Sequence, residues 1–181
     1  MKPALALLAL LAWITVAASA ANLTVNGNQT YQTIDGYGVN INAGWWNDGE
    51  VKPALDLLVD QLGATIFRSV IEEMDWEAVN DNSDSSVFNW TYYNPIYSNA
   101  RFQGVWNTLR YLNQKGITDG LVISFMGEPP GWMGPNSTVS AGNEDEFVET
   151  MASLLYYTRN TAGIQFKLVS PLNETDTGGI E

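Results

Sequence analysis

Any catalysis by this chain has to rest on carboxylates, amides, hydroxyls and aromatic faces, because its 181 residues include no histidine and no cysteine. Those two absences remove thiol nucleophiles, Ser-His-Asp triads, histidine general bases and thiolate or imidazole metal sites. The carboxylate best placed for acid–base work is Glu174, in the run Ser170-Pro171-Leu172-Asn173-Glu174 that follows an apolar segment. A carboxyl at the mouth of a buried strand is poorly solvated, so its pKa should rise toward the range a general acid needs. An Asn-Glu pair carries little information alone, and its place at the end of a fourth predicted strand is what makes it specific.

Flat rings gather in three places. Trp45-Trp46 follows a first weak strand candidate at 37–42, and Gly127-Glu128-Pro129-Pro130-Gly131-Trp132-Met133 follows the segment 121–125. The proline pair and the glycines fix the backbone, so Trp132 is expected to be held as a platform; the plainer alternative is a core tryptophan under a loop. The third place mixes Glu72, Glu73, Asp75, Glu77, Asp81 and Asp84 with Trp76, Phe88, Trp90, Tyr92, Tyr93 and Tyr97. Rings that stack on the C–H faces of a pyranose, beside carboxylates that accept from its hydroxyls, suit a carbohydrate ligand. The same stretch reads equally well as a solvated charged face. Asn173 could hydrogen-bond a sugar hydroxyl beside the scissile bond.

The elements that must position these groups follow a repeated grammar. Leu55, Leu58, Val59 and Leu62 share one helical face, Gly63 ends that helix, and 64–70 is an apolar strand. Val105, Leu109 and Leu112 repeat the pattern before Gly116 and a strand at 121–125. Phe147, Met151, Leu154 and Leu155 do so again before Gly163 and a strand at 164–169. Asn143, with Glu146 three residues on, is the expected N-cap of that third helix. Helices with one apolar stripe alternating with strands that are apolar throughout predict a parallel sheet covered by helices. Residues 22–34 are expected to form a small β-hairpin ahead of it. Helix-to-strand links are short, whereas the links after the second and third strands are long, and long loops at the C-terminal ends of parallel strands are where such folds place their sites.

Composition narrows the partners. Eight Lys plus Arg against 20 Asp plus Glu give a net charge of −12, so the clustered cations that a phosphate backbone requires are lacking and nucleic acid is not an expected partner. Gly36-Tyr37-Gly38 begins like a dinucleotide fingerprint, but Ile41 stands where the third glycine belongs, and no EF-hand spacing is present, so neither a cofactor nor a metal is expected. At the N-terminus, Lys2, an Ala/Leu-rich run over 4–16 and the small residues Ala18, Ser19 and Ala20 describe a secretory signal peptide, residues 1–20, cleaved after Ala20. The run falls short of the roughly 20 apolar residues that span a bilayer, so a secreted, extracellular chain with no membrane association after cleavage is expected. Sequons at Asn22, Asn28, Asn89 and Asn136 fit surface N-glycans. A fifth, at Asn173, is expected to stay unmodified, because a glycan there would block the cleft.

Taken in order, Ile34-Asp35-Gly36-Tyr37-Gly38, Phe67-Arg68, Pro129-Pro130-Gly131-Trp132-Met133 and Leu172-Asn173-Glu174 resemble the retaining glycoside hydrolases with (β/α)8 barrels, most of all glycoside hydrolase family 30. That family includes endo-β-1,6-glucanases, endo-β-1,6-galactanases, glucuronoxylanases and glucosylceramidases. The resemblance implies an α/β fold in which residues 21–181 form the N-terminal half of a (β/α)8 TIM barrel, truncated after strand four. It implies that Glu174 is the acid/base and that Asn173 contacts the 2-hydroxyl in the −1 subsite. Arg68 would brace a catalytic carboxylate supplied from strand seven, while Trp132 and Trp45 or Trp46 would line the cleft. Retention needs two carboxyl groups about 5 to 5.5 Å apart, and the resemblance gives Glu128 no such role. The expectation is therefore a secreted endo-glycosidase of β-linked polysaccharide, glucan, galactan or xylan in type, lacking its nucleophile half and inactive as it stands. The competing expectation is a secreted protein that binds polysaccharide or oligosaccharide without cleaving it.

Overall fold

The computed structural model describes residues 22–72, 75–136 and 138–173, so the expected signal peptide, Glu73 and Glu174 lie outside the described residues. The predominantly apolar stretches form strands: β1 (Tyr37–Asn42), β2 (Ala64–Glu72), β3 (Leu121–Met126) and β4 (Leu168–Ser170). They make one sheet of order β1-β2-β3-β4 with every pair parallel. Crossovers between parallel strands are right-handed, so a sheet that always steps to the next strand in the same direction receives its helices on one face. Strand side chains alternate between the two faces. In β2 and β3, Phe67, Ile71, Leu121, Ile123 and Phe125 are buried in a single core with Leu55, Val105, Trp106, Leu109, Leu112 and Leu154 from the helices. The opposite face carries Asn40 and Asn42 of β1, Arg68, Val70 and Glu72 of β2, and Ser124 of β3, set side by side by the register.

The helices form for local reasons. α1 (Val51–Asp56) runs directly into a π-helical turn, Leu57–Gln61. In α2 (Trp90–Tyr97) the side chain of Asn89 accepts from the Tyr92 N–H, and in α3 (Ala100–Gln114) that of Asn99 accepts from the Phe102 N–H, each satisfying a donor that the first turn leaves free. α4 (Glu144–Asn160) opens with Glu144, Asp145 and Glu146 and closes with Arg159, the charge order that complements a helix dipole. Helical backbone ends ahead of Gly63, Gly116 and Gly163, as the spacing predicts. At Gly116 the backbone turns through φ 85°, a conformation that costs glycine least.

Several expectations need correction. Residues 22–36 contain no strand; a turn at Gly27 and Asn28, closed by the Gln29 N–H donating to the Asn26 carbonyl (3.1 Å), stands where a hairpin is expected. The fourth strand is three residues, Leu168–Ser170, rather than 164–169. Ile164 and Phe166 are buried as that longer strand requires, but the backbone there makes no ladder. Asn143 precedes α4 without capping it: its amide donates to the Met133 carbonyl (2.8 Å), tying the loop after β3 to the helix start. Finally, the long link after β2 is not bare loop, because α2 lies within it. Its Trp90, Tyr93 and Tyr97 fall three and four residues apart, a helical spacing in which the aromatic residues make the buried face.

Candidate functional site

Two of the predicted residues meet on the sheet: Arg68, midway along β2, and Asn173, just past β4. Arg68 leaves the exposed face of β2 and donates from Nε to Ser124 Oγ on β3 (3.0 Å) and from Nη2 to Asn173 Oδ1 just past β4 (2.5 Å). One guanidinium thus spans three neighbouring strands, using the fork geometry that lets arginine fix two acceptors at once. Asn173 is held at the rim of the sheet, and Glu174, the residue after it, lies outside the described residues. Ser124 is missed by the sequence reading. Its signal is a lone hydroxyl in the otherwise apolar strand LVISFM, at a position whose neighbours across the sheet are Val70 and Ser170.

Trp45 and Trp46 part company. Trp45 is 69% exposed and lines a cleft of about 190 Å³ with Asn42, Glu72, Arg101 and Phe102, above the ends of β1 and β2. Arg101 Nη2 closes one side by donating to the Glu72 carbonyl (2.6 Å). Trp46 turns the other way and packs against Tyr111 of α3, ring centroids 5.3 Å apart, so its place is in the core beneath the helices rather than in a cleft. Trp45 ends the short helical turn Ala43–Trp45 and Trp46 caps it, and the chain leaves the turn there with the two rings on different sides.

Trp132 is half-buried and fixed, its indole Nε1 donating to the Glu77 carbonyl (2.7 Å). Pro129, Pro130 and Met133 around it are buried, so the loop is rigid as its prolines predict. Glu128 stays exposed.

The acidic and aromatic loop is the largest departure from the sugar-stacking expectation. Trp76, Tyr93 and Tyr97 are fully buried, and Trp76 donates to the Thr150 carbonyl of α4 (3.1 Å). Tyr93 and Tyr97 stack in parallel, with centroids 5.6 Å apart, and Tyr97 shares a hydrogen bond with Ser153 (2.7 Å). These rings bury their area against α4 because eight contiguous residues made a helix with an aromatic face, which a residue list alone does not reveal. Glu77 goes with them: one carboxyl oxygen accepts from Tyr93 (2.9 Å) and from Thr150, and burial pushes its pKa up. Trp76, Glu77, Tyr93 and Tyr97 are closed to a ligand, whereas Phe88, Trp90 and Tyr92 are half-buried.

Comparison with protein-family models, with curated proteins and with solved structures returned no match to this chain.

The sequons also differ in placement. Asn22, Asn28 and Asn136 are exposed, whereas Asn89 is half-buried and committed, capping α2 and donating to the Asp81 carbonyl (3.3 Å). Among the described residues no group of three or more His, Cys, Asp or Glu is arranged to hold a metal ion, and no helix is long and apolar enough to cross a membrane.

Proposed function

We infer that this chain carries the acid/base half of a carbohydrate-cleaving site, in the manner of a retaining (β/α)8 glycosidase of the family 30 type. The observation that carries the reading is the bond from Arg68 to Asn173, which fixes the residue before Glu174 against the sheet just past the end of β4, the end at which barrels of this kind work. Sheet order supports it too: four parallel strands in unbroken sequence order are compatible with part of a singly wound barrel, whereas the order of a doubly wound sheet reverses. Glu174 protonates the leaving glycosidic oxygen and then, as carboxylate, takes a proton from the attacking water. Asn173, oriented by Arg68, holds the hydroxyl beside the reacting carbon, and Trp45 supplies an exposed ring for sugar stacking. Retention requires an opposing carboxylate about 5 to 5.5 Å from Glu174.

A second reading, sugar binding without cleavage, draws on the exposure of Trp45 beside Asn42 and Glu72 in one cleft. Titration of the natural full-length protein with β-1,6-glucan, β-1,6-galactan and xylan oligosaccharides, with product analysis, separates the two. Cleavage that Glu174→Gln abolishes while binding persists supports the enzyme. Binding without products supports the second reading, and neither binding nor products removes both.

A further inference from the structure

Four carboxyl groups converge where the segment 75–97 lies on α4, and among the described residues no cation is bonded to them. Glu149 of α4 is 1% exposed, and neither of its carboxyl oxygens has a hydrogen-bond partner among the described residues. Glu77 is 0% exposed, with Oε2 bonded to Tyr93 and Thr150 and Oε1 without a partner. Asp81 Oδ2 and Glu146 Oε2 are likewise buried and unpartnered. The charges acting most strongly on Glu149 are those of Asp81, Glu77, Glu146 and Asp84, all negative; among the described residues the phenols of Tyr92, Tyr93 and Tyr97 on α2 also face these acids. An ionised carboxylate shut away from water with no counter-charge is costly, whereas the neutral acid is much less so.

Two solutions exist for such a cluster, a cation or protons. Holding a divalent ion takes several carboxylates at one point, and no three acidic side chains among the described residues are arranged that way. We propose that the junction between the 75–97 segment and α4 is a proton-held latch, closed while Glu149 and Glu77 carry protons and opened when they ionise against Asp81 and Glu146. The latch also governs Trp132, whose indole hangs on the Glu77 carbonyl, and Trp76, whose indole hangs on the Thr150 carbonyl. Opening therefore frees two tryptophans together with the loop. The proposal is independent of whether the chain cleaves sugar.

Burial and the neighbouring acids push Glu149 up to about 7 from an ordinary 4.5, and burial raises Glu77 and Asp81 as well. For an acid whose folded pKa is raised, the folded state binds the extra proton. Its stabilising effect is complete below about pH 4.5 and is lost as the pH climbs through about 7.

The test follows the wild-type chain from about pH 5 to about pH 8 by hydrogen exchange, tryptophan fluorescence and carboxyl carbon NMR. The expected result is that amides of 75–97 exchange at least about tenfold faster at the upper pH after correction for intrinsic rates, while those of α3 keep their protection. Fluorescence should shift red over the same range, and at least one glutamate carboxyl should titrate near 7 rather than near its ordinary value. Glu149→Gln should remove most of the pH dependence, and Glu144→Gln, at the exposed start of α4, should keep it. Equal protection at both pH values, or an unchanged pH dependence in Glu149→Gln, overturns the latch. So does restoration of protection at the upper pH by millimolar calcium, which makes the cluster a cation site. If Glu149→Gln does not fold, the wild-type NMR titration decides, and glutamates that all titrate in the ordinary range overturn the proposal.

Discussion

Arg68 is the residue on which the rim of the sheet depends. Its two bonds, to Ser124 on β3 and to Asn173 past β4, add side-chain ties to the backbone ladder on this face, and the second closes a separation of 105 residues. Hydrogen bonds to a charged group contribute more than neutral ones, so Arg68→Ala should lower stability by about 1–3 kcal/mol, read as a fall in the urea midpoint with the slope unchanged. Arg68→Lys keeps the charge but not the fork, and should recover only part of that loss. This residue was reached through the family resemblance that Phe67-Arg68 helps to carry; its partner Ser124 was not, because a serine is unremarkable until the strand beside it is known. The tryptophans divide in the same way. Their clustering was legible, but only the packing of Trp46 on Tyr111 and the bond of Trp132 to Glu77 decided which ring stays free.

Between elements, α3 lies close against the turn Ala43–Trp45. A Cβ at Gly104 would stand 2.4 Å from the Gly44 carbonyl oxygen, and Thr108, one turn on, donates to the Ala43 carbonyl (2.7 Å). Because the obstacle is backbone and cannot swing aside, Gly104→Ala should destabilise by about 1–3 kcal/mol by forcing helix and turn apart. Gly131→Ala, where nothing lies within 4 Å, should leave the urea midpoint nearly unchanged. The helix and strand periods made α3, α4, β2 and β3 readable in advance. α2 was not, because its eight residues mix acids nearby with a Pro95 inside, and short helices owe their stability to the surface they pack on. The hairpin expected at 22–34 failed for the converse reason: alternation without a partner strand does not make a sheet.

For the whole molecule, charge sets the pH dependence. Asp56 is held below its ordinary range by Lys115 and Tyr111, Asp119 by Lys167, and Asp84 by Ser86, so these groups withdraw their contribution as the pH falls below about 4. Glu149 and Glu77 act with the opposite sign, removing stability as the pH rises. Thermal midpoints measured across the range should peak in mildly acidic buffer, near pH 5, and decline in both directions; a maximum at or above pH 8 contradicts this balance. The net charge of −12 adds self-repulsion above that peak, so moderate salt should raise the midpoint more at pH 8 than at pH 5. β1 and β4 are the edges of the described sheet, and Leu168 is 49% exposed on β4. Leu168→Lys should slow concentration-dependent light scattering with little change in stability, since a charge on an edge strand opposes pairing with another chain.

What the sequence determined by itself was the kind and order of the elements, and which chemistries are excluded. Side-chain periodicity and helix stops act over a few residues, and a residue type that is missing is missing everywhere. The tertiary structure alone decided which acids and rings are buried. Glu77 meets Thr150 across 73 residues, Trp76 meets the same helix across 74, and Arg68 meets Asn173 across 105. No local pattern encodes such partners, because solvation and pKa depend on what the folded chain places opposite a side chain and not on what stands beside it in sequence.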